Sequence, residues 1–164
     1  MKVAVCFFGL NRSLSITAPS IHISVYQQLQ KTGIEYDVYA ALMFPKSGIN
    51  NQRSGEVACS PEVDSLTALQ TQNLILIDQD EFDRTTDLAS FGLLQTNDAY
   101  HDGHASSRNQ LRELYSINLS YNLAVQSGQN YDAFIFLRPD LYYHDPFDFL
   151  AYLEGGERVD PSLF

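Results

Sequence analysis

The chain has 164 residues, 45% of them apolar, which is enough for one domain with a sizeable core and excludes wholesale disorder. Twenty acidic against ten basic residues give a formal charge of −10, so the surface as a whole repels nucleic acid and anionic membranes, and no nucleic-acid partner is expected. A phosphate-bearing small molecule is not excluded, because it needs only a few local donors.

No apolar window approaches the length of a membrane span. The opening run Lys2-Val3-Ala4-Val5-Cys6-Phe7-Phe8 is too short, and wrongly flanked, for a signal peptide, so a soluble cytoplasmic protein is the expectation. Cys6 and Cys59 lack metal-ligand spacing, and Cys6 reads as a small core residue. On this expectation the sequons at Asn11 and Asn118 have no use.

Val3 to Phe8 predicts a strand, and Gly9-Leu10-Asn11-Arg12-Ser13 a turn. Gly9 lets the backbone approach a ligand, and Asn11, Arg12 and Ser13 can donate to phosphate or base. A plain loop with a helix cap explains the same residues. Neither a G-x-G-x-x-G nor a P-loop is present. Ile21, Val25 and Leu29 predict an amphipathic helix over Ser20 to Lys31, with Pro19 near its start and Gly33 past its end. His22 reads as an exposed or capping side chain rather than a ligand. Tyr36 to Phe44 predicts the second strand, residues 45–60 a long mobile loop, and Pro61 to Leu69 a short helix.

Asn73 to Ile77 predicts a third strand running into Asp78-Gln79-Asp80. That D-x-D spacing can hold one divalent cation, but an acidic strand exit is the preferred reading. Residues 83–107 are weakly patterned. His101-Asp102-Gly103-His104 reads as a polar loop before it reads as a metal cluster. Ser106 to Ser127 predicts the strongest helix, with Leu111, Leu114, Tyr115, Asn118, Leu119, Asn122 and Leu123 at three- and four-residue spacing. Arg108 and Arg112 fall one turn apart near its start, with Glu113 as nearest acid. They suit either a diphosphate at a helix N-terminus or ordinary pairing with surface acids.

Ala133 to Leu137 predicts a fourth strand, covered on both faces because its apolar run does not alternate. Arg138-Pro139-Asp140 stands where the strand must stop, since proline has no N–H for a ladder. Ligands of α/β sheets bind at the carboxyl ends of strands, so this charged edge is the leading site candidate. Gly33…Tyr36-Asp37 and Gly128…Tyr131-Asp132 repeat the same helix–glycine–Tyr-Asp–strand order, which supports alternating units in a parallel sheet. A short helix through Leu153 and a polar tail follow. The whole chain reads as a single α/β domain with its core over about residues 1–153.

The first strand and loop, the Tyr36-Asp37 strand, the helix bearing Arg108 and Arg112, and Tyr131-Asp132-Ala133-Phe134-Ile135-Phe136-Leu137-Arg138-Pro139-Asp140-Leu141 together resemble the nucleotide-sugar half of GT-A type glycosyltransferases. The likeness is to bacterial and viral polysaccharide-synthesis enzymes. It implies a Rossmann-like three-layer α/β/α fold with a mostly parallel sheet. It also implies transfer of a sugar from a nucleotide-diphosphate donor to a saccharide acceptor. In that family the strand ends in D-x-D, which holds Mn²⁺ or Mg²⁺ against the diphosphate. Here Arg138 replaces the first acid and Asp140 keeps the second. The resemblance therefore implies either metal assistance through Asp140 or a metal-independent site in which Arg138 neutralises phosphate. His144 and Asp145 lie just beyond. Gly9, Asn11 and Arg12 would meet the nucleotide, Asp78 would add a contact, and Arg108 and Arg112 would face the diphosphate or sugar. The acceptor-binding half of such enzymes is not matched, so a fragment or a minimal donor-binding domain is expected, with no catalytic base assigned. A non-catalytic nucleotide- or partner-binding module is the alternative. A methyltransferase and a serine or cysteine hydrolase fit less well, because a glycine-rich loop and a G-x-S-x-G are both missing.

Overall fold

The computed structural model describes residues 1–51, 55–92, 98 and 100–154. Four parallel strands form one sheet in the order β5-β2-β1-β6, where β1 is Lys2–Leu10, β2 Glu35–Phe44, β5 Asn73–Asp78 and β6 Ala133–Leu137. Val5 lies opposite Val38 on one side and Ile135 on the other. With all strands running the same way, Leu10, Phe44, Asp78 and Leu137 end at one edge, which gathers the loops after them.

Helices cover both faces. On one face α1 (Leu14–Ile21), a single π turn (His22–Tyr26) and α2 (Gln27–Lys31) form one continuous rod. Leu14, Ile21, Val25, Tyr26 and Leu29 from this rod bury against Val3, Val5, Phe7, Val38, Ala40 and Leu42. Each such fully buried side chain contributes roughly 1.5–3 kcal/mol. On the other face α4 (Ala105–Gln126) lies over Ala4, Cys6, Tyr39, Ala41 and Met43. The remaining elements are a hairpin of β3 (Ile49–Asn51) and β4 (Glu56–Cys59), α3 (Gln79–Thr85), α5 (Phe149–Glu154), and 3₁₀ turns over Asp64–Leu69 and Leu88–Phe91.

Four sequence expectations change. The first helix begins at Leu14, not Ser20, so Pro19 lies inside it. Proline removes one i→i−4 donor, and the helix accommodates the loss and passes into the π turn instead of breaking. The expected loop after β2 holds the β3–β4 hairpin. The strand β6 is an outer strand among the described residues, and Phe136 is 40% exposed, so the two-sided burial expected of it belongs to β1. An apolar run alone does not distinguish those positions. Finally, α4 buries Ser116, Ser120 and Ala124, whereas Leu114 and Tyr115 face solvent. Small residues at four-residue spacing let the helix backbone sit close on the sheet. The expected polar tail lies outside the described residues. Both cysteines are free, Cys6 is buried, and burial pushes its thiol up to about 12.

Candidate functional site at the carboxyl edge

Arg12 leaves the end of β1 and Arg138 the end of the neighbouring β6. Both guanidiniums converge on one carboxylate, Asp140. Arg138 grips it through Nε to Oδ1 (2.9 Å) and Nη2 to Oδ2 (3.0 Å). Arg12 donates Nε (2.9 Å) and Nη2 (2.7 Å) to the same Oδ2. The Asp140 side chain is 1% exposed, against 25% for Arg12 and 26% for Arg138. Burial alone would raise the Asp140 carboxyl, but the Arg138 and then the Arg12 guanidinium outweigh it and hold it below the usual carboxylate range. Arg138 is raised in turn, chiefly by Asp140. Its Nη1 pairs with Glu113 of α4, whose side chain is 40% exposed.

The backbone that presents Arg138 and Asp140 is held by a row of hydroxyls along the first helix. Thr17 Oγ1 donates to the Pro139 carbonyl (2.5 Å), and Ser13 Oγ to that of Asp140 (3.4 Å). Ser20 Oγ accepts the Tyr143 N–H (3.1 Å), and Ser24 Oγ donates to the Tyr143 carbonyl (2.9 Å). Tyr143 closes the turn by donating its hydroxyl to the Arg138 carbonyl (3.0 Å) and accepting the Arg138 N–H (3.1 Å). Burial pushes the Tyr143 phenol up to about 12, so it stays protonated at neutral pH. Thr17, Ser20 and Ser24 are each 4% exposed or less. Their spacing of three and four residues places them on one helix face. That spacing was readable beforehand, but a buried hydroxyl row looks like an ordinary polar face until its partner strand is known.

Gly9 has φ +86° and donates its N–H to Ser116 Oγ of α4 (3.0 Å). An added Cβ there would stand 4.0 Å from Arg138 Nε. The positive φ, more than space, makes glycine the fitting residue. Asn11 is 3% exposed, and its amide serves the loop: Nδ2 donates to the Glu62 carbonyl (2.6 Å) and Oδ1 accepts the Leu14 N–H (3.3 Å).

The other candidate residues form separate groups. Asp78 caps α3 by accepting the Glu81 N–H (3.1 Å) and pairs with Lys46 at 2.6 Å. Asp80 accepts the Ser47 N–H and hydroxyl at 2.8 and 2.6 Å. The D-x-D therefore ties the loop after β2 to the exit of β5. Arg112 pairs with Asp83 of α3, and Arg108 donates to the Asp83 carbonyl at 3.2 Å. Asp98 accepts the N–H groups of Asp102, Gly103 and His104, so the His101–His104 segment is a backbone-capped loop. His144 is exposed, its ring 4.9 Å from that of Tyr142.

A divalent cation does not fit at Asp140 in this arrangement. Both oxygens receive guanidinium N–H groups, and the carboxylate is closed to solvent. Among the described residues no three His, Cys, Asp or Glu side chains gather as a metal-holding group. No described helix is long and apolar enough to cross a membrane. Glu113 and Ser116 on α4, the hydroxyls of Thr17, Ser20 and Ser24, and Tyr143 are residues of this edge that the sequence does not single out, since their partners are set by which elements pack together. Comparisons of the chain with protein-family models, with curated proteins and with solved structures find no match.

Proposed function

We propose that this chain is a donor-binding, glycosyltransferase-like protein that takes a nucleotide-diphosphate sugar at the carboxyl edge of a Rossmann-like sheet of the GT-A kind. One observation carries the reading. Two guanidiniums from adjacent strand exits meet at the edge where α/β sheets bind ligands, and each remains about one quarter exposed. Forked N–H donors suit phosphate oxygens. In transfer, the bond between the anomeric carbon and the diphosphate breaks, a bond to the acceptor hydroxyl oxygen forms, and that hydroxyl's proton passes to the departing diphosphate or to solvent. Arg12 and Arg138 stabilise charge on the departing diphosphate, the task a metal performs elsewhere. A cytoplasmic location and a saccharide acceptor belong to the same reading.

A thermal-shift panel of uridine, guanosine, cytidine, adenosine and thymidine diphosphates, with and without Mn²⁺, tests it. A ligand at roughly a hundred times its Kd raises the Tm by about 5–10 °C for a chain of this size. At least one diphosphate is expected to do so without Mn²⁺. No shift with any of them, with or without the metal, would sink the reading. A second reading, a binding module without turnover, draws on the closed state of Asp140. It expects the same shift but no release of diphosphate from any nucleotide sugar.

A further inference from the structure

We infer that Glu113 is an internal counter-ion occupying the place of the ligand's anionic group, so that a diphosphate must displace it from Arg138 to bind. This deepens the proposed function and rests on it. Among the described contacts the two arginines meet two carboxylates, Asp140 and Glu113. The carboxylates are not equivalent. Asp140 lies two residues from Arg138, is 1% exposed, and receives four guanidinium hydrogen bonds. It is a fixed part of the edge. Glu113 is 40% exposed, comes from another layer of the fold, and meets Arg138 through a single Nη1. A partly solvated side chain on a helix surface exchanges its partner for water or another anion at small cost. Asp140 is already held by both arginines, so release of Glu113 leaves Arg138 Nη1 without its carboxylate and open to another anion. A phosphate oxygen, carrying more charge than a carboxylate oxygen, competes well for the vacated Nη1.

Calorimetric titration of inorganic pyrophosphate and of uridine diphosphate into wild type, Glu113→Gln and Arg138→Gln separates the possibilities. Removing the competing charge is expected to tighten both ligands roughly three- to tenfold at low ionic strength. The gain should shrink as salt screens the site, and Arg138→Gln should lose binding. If wild type binds and Glu113→Gln binds equally or more weakly, Glu113 orients Arg138 instead and the inference fails while the donor-binding reading stands. If neither wild type nor Glu113→Gln binds either ligand, both fail. Binding by Glu113→Gln alone would leave the wild-type edge without a ligand, so the donor-binding reading and the inference that rests on it would both fail. The exposure of Glu113 makes the variant a safe one for folding, and its unfolding midpoint in urea provides the control.

Discussion

At the amino edge of the sheet, Lys2, Asp37, Tyr131 and Tyr39 form one chain of contacts; at the carboxyl edge, Arg12, Asp140, Arg138 and Glu113 form another. Lys2 Nζ reaches Asp37 at 2.7 Å and lies 5.5 Å from the centre of the Tyr131 ring. Tyr131 donates its hydroxyl to Asp37 (2.7 Å) and sits 2.6 Å from the Tyr39 hydroxyl. Here Lys2 Nζ meets one carboxylate, Asp37, and also donates to Gln129 Oε1 (3.0 Å), while the Asp132 carboxylate accepts the Lys2 backbone N–H (2.8 Å). The cluster at the carboxyl edge has two cations, Arg12 and Arg138. One carboxylate is locked between them, and the other is 40% exposed. A charged edge can serve only to fasten strands; what sets the second apart, on the proposed reading, is a partly exposed partner on an arginine.

Breaking the locked carboxylate should have the largest effect. Asp140→Asn leaves two guanidiniums without their shared partner, and a loss of roughly 3–5 kcal/mol is expected from urea unfolding. The pH dependence has a definite sign. The Asp140 carboxyl lies below its ordinary value in the folded state. Its contribution is therefore fully present above an unfolded-state pKa of about 3.9, and is lost as pH falls through the lower folded value. Wild type should lose more stability than Asp140→Asn between neutral pH and the acid limb. Equal losses would place the acid sensitivity elsewhere.

The hydroxyl row is next in size. Thr17→Val keeps the shape and leaves the Pro139 carbonyl without its donor, so a loss of about 1–2 kcal/mol is expected, with Thr17→Ser near wild type. A Thr17→Val protein as stable as wild type would mean that the row does not hold the turn. Gly9→Ala places a side chain at φ +86°, and about 1–2 kcal/mol should be lost. The smallest effect belongs to the amino edge. Tyr131→Phe should cost about 1 kcal/mol and leave diphosphate binding unchanged. A change in binding there would erase the distinction between the two edges.

The parallel strands and the charged exit at Arg138-Pro139-Asp140 were legible in the sequence because proline, glycine and β-branched runs act locally. The Tyr-Asp repeat was legible too. Its partners were not, since Asp37 and Tyr131 lie on β2 and the approach to β6, strands separated in the sheet by β1. The destiny of Glu113 was hidden for a similar reason. Along the helix it neighbours Arg112, yet Arg112 turns to Asp83 and Glu113 to Arg138. Local spacing describes which side chains share a helix face, but ion pairing is decided by which element packs against that face. The small-residue stripe of Ser116, Ser120 and Ala124 was masked by the leucines beside it, which fit the helical period equally well.

On the proposed reading Arg138 is the cation that meets a diphosphate. Calorimetric titration of the five nucleoside diphosphates into wild type and Arg138→Gln tests this most directly. At least one should bind wild type without added metal, and the substitution should weaken it by roughly ten- to a hundredfold, as loss of a charge-assisted hydrogen bond requires. Equal binding by both proteins, or no binding by wild type, would contradict it.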